Sequence, residues 1–102
     1  MEDNLSIETE RLLALIIMHK MPKFSNSYDL NKILSWKFGV INLSIIIRDL
    51  LKNDLIINEN NKANSVFSIT EKGLRYLSIN LDKFRCDLNK KFPNEVFLNY
   101  LF

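Results

Sequence analysis

The sequence predicts one mostly helical domain with a single small β-hairpin set between its third and fourth helices. Three observations lead there. Apolar residues return at spacings of three and four in four separate segments. Two short β-rich runs flank a polar turn. A chain of 102 residues has room for one core and no second lobe.

The first helix is expected from about Ser6 to Lys20. Ser6 is a natural N-cap, Glu8 lies in the first turn, and Lys20 meets the negative end of the helix dipole. Leu12, Leu13, Ile16 and Ile17 form one stripe, which Leu15 and Met18 widen, so this helix should be central. Pro22, Ser25, Asn26 and Ser27 mark a loop, with Ser27 capping a second helix whose inner face is Leu30, Ile33 and Leu34. Gly39 marks a tight linker, and Trp36 and Phe38 beside it read as core anchors.

The third helix is expected from about Asn42 to Asn53, with Asn42 as its cap and Leu43, Ile47 and Leu50 turned inward. The chain then becomes extended through Leu55, Ile56 and Ile57. It turns at 60–64 and returns as a strand through Val66, Phe67 and Ile69. Thr70 caps the fourth helix, Glu71 opens it, and Leu74, Leu77, Leu81, Phe84 and Leu88 repeat for four turns. Pro93 interrupts, and a last short helix from Asn94 carries Val96, Phe97, Tyr100 and Leu101.

Two stretches carry a resemblance. The run Leu50-Leu51-Lys52-Asn53-Asp54-Leu55-Ile56 is similar to the end of a recognition helix entering a wing strand. The run Phe67-Ser68-Ile69-Thr70-Glu71-Lys72-Gly73-Leu74 is similar to the second wing strand entering the next helix. Together they resemble the winged helix-turn-helix superfamily of transcriptional regulators, the group holding the multiple-antibiotic-resistance and phenolic-acid-regulator types. The resemblance implies a winged-helix domain over 1–80; the remaining stretch, 81–102, resembles nothing in that group and is expected as a helical extension that continues the fourth helix. Asp54 stands where that group often has glycine, so the turn there must be made without one. Gly73, early in a helix, points to close backbone packing.

The same resemblance implies a sequence-specific regulator of double-stranded DNA, a repressor that occupies its operator and reads the major groove with helix 3. The reading set on that helix is Asn42, Ser44, Ile45, Arg48 and Lys52, with phosphate contacts from Lys32 and Lys37 and from Lys62 at the wing tip. Against it stand Asp49, which phosphate would repel, and the pair Ile45 and Ile46, whose apolar surface suits the alternative of a protein-interaction module. An architectural DNA binder is disfavoured by the low net charge. The stripe Leu74, Leu77, Leu81, Phe84 and Leu88, with Phe97, Tyr100 and Leu101, is expected to join a homodimer. The alternative is that the last helix folds back over the first within one chain.

Charge and composition bound the remaining classes. The net charge is +2. Arg11, Lys20 and Lys23 against Glu2, Asp3, Glu8, Glu10 and Asp29 leave the first 30 residues at −2, so positive charge favours the middle and the end. The longest apolar run, Leu12 to Met18, is far short of the roughly 20 residues of a membrane span, and the acidic start lacks a signal-peptide pattern. A cytoplasmic protein is expected, in the host cytoplasm if the chain is viral. One histidine, His19, and one cysteine, Cys86, give neither a metal cluster nor a catalytic pair; Cys86 reads as a buried core thiol. No enzyme and no cofactor are expected, and an effector pocket would leave no signature.

Overall fold

The computed structural model describes residues 6–59 and 66–102. Five α-helices and one hairpin follow in order: α1 (Ile7–Lys20), α2 (Ser27–Phe38), α3 (Leu43–Lys52), β1 (Ile56–Asn58), β2 (Phe67–Ile69), α4 (Glu71–Lys91) and α5 (Leu98–Leu101). A 3₁₀ turn, Pro22–Phe24, separates α1 from α2. This is the mostly helical architecture with a hairpin that the periodicities predict. The polar turn expected at 60–64, with Lys62, falls outside the described residues.

Helix α1 is the centre of the molecule. Leu12 through Met18 are all buried, with no polar face over two turns, because α3, α4, α5, β2 and the 3₁₀ turn all pack against it. Each fully buried Leu or Ile side chain there contributes roughly 1.5–3 kcal/mol relative to exposure. Ser6 caps the helix as expected, its side chain accepting from the Thr9 amide at 3.1 Å. The cap of α2 is Asn26 rather than Ser27: Asn26 Oδ1 accepts from the Asp29 amide at 2.8 Å. Both residue types cap well, and the extended backbone of Asn26 decides between them.

Helix α3 is rotated slightly from its expected setting. Its buried residues are Leu43, Ile46 and Leu50, and Ile47 is half-buried. Ile46, only 2% exposed, belongs to the core and not to an outer patch. The reason is tertiary: α3 packs against α1, and Ile47 lines the groove that α3 forms with α2. Asn42 occupies the N-cap position without a side-chain cap bond.

The end of α3 solves the missing-glycine problem. The Leu55 amide donates to the Leu50 carbonyl at 2.9 Å and the Asp54 amide to Leu51 at 3.1 Å. Asp54 takes the left-handed conformation, φ 61°, which these two bonds require at that position. Leu50 and Leu55 are both buried beneath the turn.

The hairpin is antiparallel, pairing Ile56 with Ile69, Ile57 with Ser68 and Asn58 with Phe67. A third edge, invisible in the sequence pattern, joins it. Asn26 bridges Val66, and the Phe67 amide donates to the Ser25 carbonyl at 2.8 Å, so the loop before α2 is stitched to the hairpin. Thr70 then clamps the start of α4 onto the turn after α3. Its amide donates to the Leu55 carbonyl at 3.0 Å and its hydroxyl to the Asp54 carbonyl at 2.7 Å, and that hydroxyl accepts from the Gly73 amide at 3.0 Å. A Cβ on Gly73 would stand 2.2 Å from the Leu55 carbonyl oxygen, which is why a helix tolerates glycine there.

The expected boundary at residue 80 marks no break. Helix α4 runs through it, and Phe84, Leu88, Leu98 and Leu101 join one continuous core with residues of α1, α2 and α3. The last helix folds back on α1, the alternative weighed above. Leu77, Phe84, Leu88 and Leu101 are therefore buried within the chain and do not form an outward dimer face; Leu74, Leu81 and Phe97 are half-buried and Tyr100 is exposed. Phe38 is buried as expected, but Trp36 is 78% exposed. It lies opposite the Leu30, Leu34 and Phe38 face of α2. Cys86 is also exposed, on the outer side of α4. No described helix is long and apolar enough to cross a membrane.

Candidate nucleic-acid interface

The outward face of α3 follows from its inner one. With Leu43, Ile46 and Leu50 in the core, steps of about 100° per residue turn Ser44, Ile45, Arg48 and Lys52 outward. All four are exposed, as is Asn42 at the helix entry. Beside them a groove of about 730 Å³ runs between α3 and the first half of α2. Asn42, Ser44 and Arg48 line it from one side and Ser27, Tyr28 and Asn31 from the other; Ile41, Ile47 and Leu51 contribute apolar surface. Three of the expected reading residues are thus brought together, and Ile45 and Lys52 continue the exposed face beyond the groove.

Lys32 and Lys37 are not brought there. Both line a separate groove of about 500 Å³ on the opposite side of α2. Lys37 pairs with Glu95 at 3.7 Å and stands over the Phe97 ring; Lys32 stands over both Tyr28 and Trp36. Lys62 lies outside the described residues. Of the groups expected on phosphate, then, neither described one borders the α3 groove.

Ser27, Tyr28 and Asn31 went unrecognised as neighbours of α3. Their signal was present, since they fall between the buried Leu30 and Leu34 positions and the outer ridge of α2. Reading it required knowing which flank of α2 meets α3.

The acid on α3 is accounted for. Asp49 Oδ2 accepts from Arg11 Nη2 of α1 at 2.9 Å, and both side chains are about 30% exposed. Arg11 is one member of a polar seam joining α1, α3 and α4. Its neighbour on α1, Glu8, accepts the Tyr76 hydroxyl hydrogen bond, and that phenol is pushed up to about 12, first by burial and then by the bond to Glu8. Burial likewise raises Glu10 above the usual carboxylate range. The seam is illegible in sequence because its members are 38 and 68 positions apart.

His19 is exposed in the last turn of α1. Among the described residues no group of His, Cys, Asp or Glu side chains is arranged to hold a metal ion. No protein-family model, curated protein or solved structure matches this chain.

Proposed function

We propose that this protein is a sequence-specific regulator of double-stranded DNA that lays α3 in the major groove. One observation carries the reading: α3 turns Ser44, Ile45, Arg48 and Lys52 to solvent while its only acid within the helix, Asp49, is held by Arg11. The outer face is therefore positive, small and polar, with one apolar contact suited to a thymine methyl. Arg48 is the specifying group, Lys52 and the hydroxyl of Ser44 contribute on phosphate or base edges, and Asn42 is placed to read adenine. Ser27 and Asn31 across the groove meet the adjoining backbone.

Anisotropy titrations of labelled genomic and random duplexes at several salt concentrations test this. Selective binding that weakens as salt rises is expected, with Arg48→Ala costing about 1–3 kcal/mol at a preferred site. Absence of binding at low salt would sink the proposal.

A second reading, a protein-interaction module on the same face, is favoured by the exposure of Tyr28 and of Ile41, the latter at 84%. It predicts that Ile41→Ser abolishes partner capture and leaves DNA affinity unchanged. A homodimer formed through this region would use what α4 and the C-terminus leave exposed, Ile79, Val96, Tyr100 and Phe102. Light scattering at two protein concentrations tests it, and a persistent 12 kDa species excludes it.

A further inference from the structure

On the side of α2 away from α3, three aromatic rings and three lysines are set together, and Tyr28 at the edge of the α3 groove stands beside one of those lysines. Lys23 Nζ lies 5.1 Å from the Phe24 ring centre, Lys32 Nζ 5.4 Å from Tyr28 and 5.7 Å from Trp36, and Lys37 Nζ 5.7 Å from Phe97. Between them the groove of about 500 Å³ has an apolar floor of Phe24, Ile33, Trp36 and Phe97. The two carboxylates at its rim are already engaged. Asp29 accepts from the Asn26 side-chain amide at 2.8 Å, and Glu95 accepts from the Phe97 amide at 3.0 Å while pairing with Lys37. Among the described residues no carboxylate pairs with Lys23 or Lys32.

We propose that this groove docks an acidic, apolar segment of a partner protein. A large apolar side chain enters between Ile33, Trp36 and Phe97, and flanking carboxylates meet Lys23 and Lys32. The charge imbalance selects the partner's sign, since three lysines outnumber the two carboxylates and neither Lys23 nor Lys32 has an ion-pair partner among the described residues. The slot itself selects a side chain over a bare polyanion, because burial of apolar area and not charge alone fills it. The two grooves share no lining residue, so the assignment does not depend on the DNA reading.

Trp36 is the only tryptophan of the chain and lies in the slot, so its emission reports occupancy directly. The full chain is titrated with a synthetic ten-residue peptide alternating Glu and Leu, with its Lys-for-Glu and Ser-for-Leu counterparts, and with an oligo-dT strand. The Glu/Leu peptide is expected to shift Trp36 emission saturably, and more weakly as salt rises, while the two counterparts do not. Lys23→Gln and Lys32→Gln should each weaken it about 2- to 5-fold, as for exposed ion pairs, and Lys83→Gln on α4 should not. Thermal melts of the variants verify that they are folded. No shift with the Glu/Leu peptide, equal shifts with all three, or indifference to both lysine variants would overturn the proposal. Response to oligo-dT in place of the peptide would overturn it in favour of single-stranded nucleic acid. Displacement of the peptide by a duplex that Arg48 recognises would place it on the wrong side of α2 and overturn it too.

Discussion

Gly73→Ala isolates the contact that locks the fourth helix onto the turn after the third. In an ordinary helix interior the change would gain about 1 kcal/mol from propensity alone. Here the new methyl would stand 2.2 Å from the Leu55 carbonyl oxygen, 2.8 Å from Ile69 Cγ1 and 3.1 Å from the Leu55 carbonyl carbon. Two of these are backbone atoms, so α4 or the turn must move. Overpacking of this kind costs about 1–3 kcal/mol. The displaced carbonyl also accepts from the Thr70 amide at 3.0 Å, and weakening that bond costs about 1 kcal/mol more. Subtracting the propensity gain leaves a net destabilisation of about 1–3 kcal/mol. Urea melts followed by far-UV circular dichroism should show a lower midpoint at unchanged slope, and thermal melts a fall of roughly 4–8 °C per kcal/mol. Gly39 supplies the contrast. No heavy atom lies within 4 Å of its added Cβ, but its φ is +71°, so Gly39→Ala should cost about 1–2 kcal/mol through backbone strain alone. Gly39→Asn should recover part of that loss, and Gly73→Asn none. A Gly73→Ala protein as stable as its parent would refute the packing argument.

Three further outcomes test the seam, its titration and the C-terminal core. Arg11→Met should expose the Asp49 carboxylate to DNA and weaken duplex binding beyond any loss of stability, and Asp49→Asn in the same protein should restore it; a double-mutant cycle on anisotropy data checks the coupling. Tyr76 has a folded pKa raised above its unfolded one. Its contribution is therefore fully present below about pH 10 and is lost as pH rises through about 12, because the unfolded chain releases the proton first. Stability measured across that window should fall in the parent and fall less in Tyr76→Phe. Leu101→Ala should cost about 2–5 kcal/mol, as a fully buried leucine does; a surface-extension value near zero would detach the C-terminus from the core.

Local chemistry was legible wherever a feature depends on neighbours in the chain. The Ser6 and Thr70 caps, the Gly39 stop, the hairpin and the tight approach at Gly73 were all readable, because each is decided within a few residues. Asp54 was legible as a difficulty, and the left-handed turn is its answer. Cys86 and Trp36 were misjudged for the opposite reason. An apolar residue type does not say which side of its helix meets another element.

The candidate site divides along the same line. The outward set Ser44, Ile45, Arg48 and Lys52 follows from helical periodicity once the inner edge is known, even though that edge turned out to pass through Ile46 rather than Ile47. Its partners across the groove, the Arg11 clamp on Asp49, and the removal of Lys32 and Lys37 to another groove do not follow from periodicity at all.

By itself the chain's order of residues determined how many helices there are and that a hairpin falls between the third and fourth, but not every start: α2 is capped by Asn26 and not Ser27, and the last helix begins at Leu98 and not Asn94. Only the folded arrangement decided that much of the C-terminal stripe closes over α1 within the same chain. The physical reason is that apolar periodicity states how much surface must leave water, whereas the covering surface is chosen by elements far away in sequence, whose positions emerge only when all of them pack at once.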